Sequence, residues 1–118
     1  MKEFRYSGED IIYSVKIVDT IGTTVDFINA TSVLFEFINP IGVVIQRTKE
    51  AGGVFLGDVS NEYRAELQEV DTIALGIGCI TVRITIVLPN ADFTDGEATS
   101  IFETKFNLVW VLLKFQKI

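Results

Sequence analysis

From Ile11 onward, apolar and polar residues alternate with a period of two along much of the chain. Ile11, Tyr13, Val15 and Ile17 fall on one side of an extended backbone, and Ser14 and Lys16 fall on the other. Asp19-Thr20-Ile21-Gly22 reads as a turn, Val25-Asp26-Phe27 as a short extended piece, and Asn29-Ala30-Thr31 as a loop. Alternation resumes over residues 32–39, where Val33, Phe35 and Phe37 oppose Glu36. Asn39-Pro40-Ile41-Gly42 then fits a type I turn, with Asn first, Pro second and Gly fourth. The return run, 43–49, carries Val43 and Ile45 and then Arg47 and Lys49. That predicts a hairpin whose second strand becomes solvent-facing toward its end.

The second half repeats the pattern. Ala51-Gly52-Gly53 interrupts it, and residues 54–56 read as a short strand or bridge. Tyr63, Ala65 and Leu67 alternate with Glu62, Arg64 and Glu66. Residues 70–75 suit one helical turn, capped by Asp71 and stopped by Gly76. Ile80, Val82, Ile84, Ile86 and Leu88 form the clearest strand, ended by Pro89-Asn90. After a polar loop over 90–99, Phe102, Thr104, Phe106 and Leu108 oppose Glu103, Lys105 and Asn107. Seven or eight short strands with regular turns indicate a single all-β domain over residues 1–118, an antiparallel β-sandwich without internal repeat or linker. Phe35, Phe37, Phe102 and Phe106 are expected in its core. Phe4, Tyr6 and Phe93 lie outside the periodic elements, where they could stack on a sugar or a neighbouring subunit.

The alternation fails at the end. Residues 106–118 read FNLVWVLLKFQKI, and 108–113 are apolar without a break. In a strand, Val109, Val111 and Leu113 project opposite Leu108, Trp110 and Leu112. Burying three further aliphatic side chains contributes about 5–9 kcal/mol gross, whereas an exposed flat edge of this kind invites aggregation. Two readings follow. The segment is a strand covered on both faces within the domain, or it is a C-terminal arm docking on a neighbouring subunit through Val109, Trp110, Val111, Leu113 and Phe115.

Composition narrows the chemistry. A chain of 118 residues buries about two thirds of its unfolded surface, enough for one core. Ten basic and sixteen acidic residues give a net charge of −6, which argues against nucleic-acid or anionic-membrane partners. No apolar run approaches the ~18 residues of a membrane span. The first residues, MKEFRYSGED, are charged and do not form a signal peptide. Histidine is absent, so serine- and cysteine-based triads and histidine zinc sites are unavailable. Cys79, the one cysteine, is expected to be a half-buried small residue in a reducing cytoplasm. Gly76-Ile77-Gly78-Cys79 precedes a strand, so it reads as a turn between strands and not a phosphate cradle. Asp92, Asp95 and Glu97, around Gly96, are the one loop cluster with ligands for calcium, and their spacing is not that of an EF-hand. No cofactor is implied.

The order of these pieces resembles a family. Gly8-Glu9-Asp10 matches its lead-in, Asp19 and Gly22 its first strand end and turn, and Val25-Asp26-Phe27 its next element. Asn29-Ala30-Thr31 matches its small-residue loop, and Val33, Phe35, Phe37, Pro40 and Gly42 match its strand and Pro-Gly turn. Asp71-Thr72, Leu75 and Gly76 or Gly78 match a later segment. Over residues 8–88 the chain is similar to the immunoglobulin-like domain that begins phage baseplate upper proteins and recurs in other phage structural proteins. It departs from them in the longer acidic segment 90–99 and in the run beyond the expected last strand. The resemblance implies an immunoglobulin-like fold and a non-enzymatic virion component, in the capsid as decoration or in the tail or baseplate. Its partners would be other virion proteins, in a homo- or hetero-oligomer assembled in the bacterial host cytoplasm. The alternative is a carbohydrate- or host-surface-binding module on the same fold.

Overall fold

Two β-sheets turn their apolar faces toward one another in a computed structural model that describes residues 4–16, 30–57 and 62–109. The larger sheet contains β1 (Phe4–Tyr6), β3 (Ser32–Ile38), β4 (Val44–Thr48), β7 (Gly78–Pro89) and β8 (Glu97–Val109), in the order β1-β8-β7-β3-β4. The smaller contains β2 (Ile11–Lys16), β5 (Val54–Leu56) and β6 (Glu62–Leu67), in the order β2-β6-β5. One helix, α1 (Glu69–Leu75), carries the chain from β6 to β7. The expected all-β sandwich is therefore the architecture. Ile17, Asp19, Gly22, Val25, Asp26, Phe27 and Asn29 lie outside the described residues, as do Trp110, Val111, Leu113 and Phe115.

The period of two has a direct cause: each sheet has one dry and one wet face. Val33, Phe35 and Phe37 of β3, Tyr63, Ala65 and Leu67 of β6, and Ile80, Val82, Ile84 and Ile86 of β7 are all buried. Phe106 and Leu108 of β8 join them, while Phe102 is half-buried against the same core. Four rings form its centre. Phe37 meets Tyr13 edge-on at 5.8 Å and Phe106 edge-on at 6.5 Å, and Tyr13 lies 5.3 Å from Phe106. Phe35 stands 6.2 Å from Phe37 on the same strand.

Several local expectations change. Residues 4–6 are a strand, β1, and it pairs with β8 in parallel, the one parallel pair among the described strands. The end of β4 does not turn to solvent: Arg47 and Lys49 are half-buried. Lys49 Nζ donates to the Ala30 carbonyl at 2.9 Å, and Arg47 Nε donates to the Glu66 carbonyl at 3.0 Å. Cys79 is exposed, because the residue after it, Ile80, takes the inward position. The N-cap of α1 is Gln68, and Asp71 reaches back to accept the Gln68 N–H at 2.8 Å. Gly76 and Gly78 join a helix to a strand, not two strands, and the polar loop ends at Gly96, since β8 begins at Glu97.

Candidate functional site

The chain leaves β8 at one end of the sandwich, and most of the buried polar contacts gather there. β6 runs into α1 at this end, the β3–β4 turn packs beside it, and Leu108 lies between Gly78 of β7 and Arg5 of β1. Asn39, 7% exposed, supplies the turn. Its Oδ1 accepts the N–H groups of Ile41 at 3.1 Å and Val43 at 2.7 Å, and its Nδ2 donates to the Leu75 carbonyl at 3.0 Å. One side chain thereby shapes the turn and satisfies a carbonyl at the C-terminus of α1.

Thr72 does the same for the opposite flank of α1. It is fully buried. Its Oγ1 accepts the Gly8 N–H at 2.9 Å and can donate to the carbonyl of Glu9 at 3.0 Å or Glu69 at 3.1 Å. Ser7 Oγ donates to the Thr72 carbonyl at 3.1 Å, and Asp10 Oδ1 accepts the Glu69 N–H at 2.7 Å. Arg47 is ion-paired with Asp71 as well. A shallow depression beside this cluster is lined by Asp10, Ile11, Ile12, Glu66, Leu67 and Gln68. Its carboxylate at Asp10 is already engaged with α1, and Ile11 and Leu67 belong to the core.

Four exposed apolar side chains lie around these bonds. Ile41 is 84% exposed, Val70 67%, Ile73 59% and Ile77 45%. Val70 and Ile73 stand three apart on the outward side of α1, and Ile41 and Ile77 flank its C-terminal end through the Asn39–Leu75 contact. Of the tail residues singled out in the sequence, Val109 is described. It is half-buried, pairs with Tyr6, and accepts the Ser7 N–H at 3.0 Å. The tail thus begins as an interior strand of the larger sheet, and residues 110–118 lie outside the described residues.

The opposite end carries the acidic loop. Asn90 Oδ1 accepts the Asp92 N–H at 2.9 Å, Asp95 Oδ1 accepts the Glu97 N–H at 3.0 Å, and Asn90 N–H reaches the Gly96 carbonyl at 2.7 Å. These bonds close a turn between β7 and β8. The structure does not bring Asp92, Asp95 and Glu97 together as a ligand set: among the described residues no group of three or more acidic or cysteine side chains is placed to hold a metal ion. Phe93 is 54% exposed in this loop and Tyr6 is 37% exposed on β1, the strand that also holds Phe4, so the three flagged aromatics are divided between opposite ends. No helix among the described residues is long and apolar enough to cross a membrane.

Sequence reasoning missed Asn39 and Thr72 as organising residues. Asn39 was legible only as a turn former, and nothing in a linear pattern tells that Leu75 will present its carbonyl to it. No protein-family model, curated protein or solved structure matches this chain.

Proposed function

We propose that the chain is a non-enzymatic structural protein of a bacteriophage particle, an immunoglobulin-like β-sandwich that acts by assembly with other virion proteins. One observation carries the reading: the order of strand and turn signatures over residues 8–88, which resembles phage baseplate upper proteins and related virion domains. The unbroken apolar run at 108–113 supports it, since it begins in the last two residues of β8, at the end of the sandwich where Ile41, Val70, Ile73 and Ile77 are exposed. Its position in the particle would be capsid decoration or a small tail or baseplate component. Mass spectrometry of particles purified from lysates of the producing host tests the role. The chain is expected at a fixed copy number per particle, and its absence from particles while abundant in the lysate overturns the proposal.

Phe93, exposed in the β7–β8 loop, favours a second reading as a carbohydrate- or host-surface-binding module. Glycan binding that is lost in Phe93→Ala, with folding intact, would select it.

A further inference from the structure

Among the described strands, the longest open edge lies along β8. Among the described strands, β1 covers β8 at Asn107, Leu108 and Val109, and none covers its outer side over residues 97–105. Backbone N–H and C=O groups point alternately to the two sides of a strand. Val109 turns its carbonyl toward β1, where it accepts the Ser7 N–H, while Gly96 turns its carbonyl toward Asn90 at the end of β7. The odd-numbered residues Glu97, Thr99, Ile101, Glu103 and Lys105 therefore aim their backbone groups at the open edge. Their side chains stand on the outer face of the sheet, where Ile101 is 62% exposed.

We infer that this edge pairs with the same edge of a second copy of the chain, antiparallel, about a two-fold axis at Ile101. Self-complementarity selects the register. With Ile101 opposite its own mate, Thr99 faces Glu103 and Glu97 faces Lys105 of the second copy, each twice by symmetry. Every outward N–H and C=O over residues 97–105 then meets a partner, and the exposed isoleucines cover one another. Moving the axis to Glu103 sets that carboxylate against itself. Moving it to Thr99 sets Glu103 against Asp95. Like charges directly opposite disfavour both slips. Charges on an edge usually block pairing altogether; here the nearest shifts fail as well, because an axis at Ser100 sets Glu97 against Glu103 and an axis at Phe102 brings Glu97 to Asn107, which β1 already covers. The existing Arg83–Glu103 contact, at 2.9 Å, lies on the same face and needs no change. This inference stands on the geometry of β8 and does not rest on a virion role.

Sedimentation equilibrium of the full chain tests it. The native chain is expected to dimerise. Glu97→Lys places lysines opposite one another and Lys105→Glu places glutamates opposite one another, so each is expected to weaken the dimer about tenfold or more. Mixing the two variants restores both contacts in a heterodimer, which a folding defect cannot imitate. In a Cys79→Ser background, Ile101→Cys is expected to form an interchain disulfide on mild oxidation, whereas Thr85→Cys on the neighbouring strand is not. A chain that stays monomeric at the highest attainable concentration overturns the inference. So does a dimer indifferent to both charge reversals, including one that disappears only when residues 110–118 are removed.

Discussion

The Asn39 side chain donates to the backbone carbonyl of Leu75 at 3.0 Å, across 36 residues of chain, in a buried setting. That bond fastens the β3–β4 turn of the larger sheet to the helix that leaves the smaller one. Replacing Asn39 by Ala would orphan the Leu75 carbonyl and the Ile41 and Val43 N–H groups that Oδ1 now serves. The expected loss is about 2–4 kcal/mol by urea denaturation with an unchanged slope. Asn39→Asp keeps the acceptor and is expected to lose less. Equal losses in the two variants would mean that the turn bonds to Oδ1 carry no weight, and an Asp variant as stable as the native chain would mean the same of the link to α1.

Thr72 makes a cleaner case because its shape can be kept. Thr72→Val preserves the volume and removes the hydroxyl, leaving the half-buried Gly8 N–H without its partner. About 1–3 kcal/mol should be lost. Thr72→Ser retains the hydroxyl and gives up one methyl, so it should cost about 1 kcal/mol. Serine faring worse than valine would show that the site is governed by packing.

Gly76 separates backbone strain from crowding. Its φ of 76° and ψ of −145° lie in a region that only glycine enters freely. A Cβ there would meet nothing within 4 Å. Gly76→Ala is expected to cost about 1–3 kcal/mol through conformation alone. Asn should not rescue it, because asparagine's tolerance is for positive ψ. A stable Asn variant would indicate that the turn relaxes.

The ring cluster should couple energetically. Tyr13 and Phe37 meet at an interplanar angle of 86°, and such edge-to-face pairs contribute about 0.5–1.5 kcal/mol beyond burial. A double-mutant cycle with Tyr13→Leu and Phe37→Leu, read by thermal and chemical unfolding, is expected to return a coupling of that size. Simple additivity would reduce the contact to area.

What the sequence made legible follows from these same contacts. β6 and β7 were readable because one face of each is wet, so Tyr63, Ala65 and Leu67, or Ile80 through Ile86, mark the dry side by themselves. β1 was not. Three residues are too few for a period, and the strand exists through its pairing with Asn107, Leu108 and Val109. Arg47 read as solvent-facing, yet its long side chain runs along the inner face and delivers the guanidinium to Asp71 and Glu66 at the rim. Ile101 could be placed on the outer face by parity with Phe102. That it also lies on an open edge depends on strand order, which no alternation encodes. Asp92, Asp95 and Glu97 are close in sequence, but the turn spends Asp95 on a backbone N–H and gathers no ligand set.

Removing residues 110–118 tests the assembly account most directly. Val109 should be kept, because it pairs with Tyr6 and accepts the Ser7 N–H. If the segment is an assembly arm, the shortened chain will fold with an unchanged unfolding midpoint and will be missing from purified particles. A shortened chain that cannot fold would make the segment internal core, and one incorporated as well as the full chain would leave the arm without a role. Either result would contradict the account.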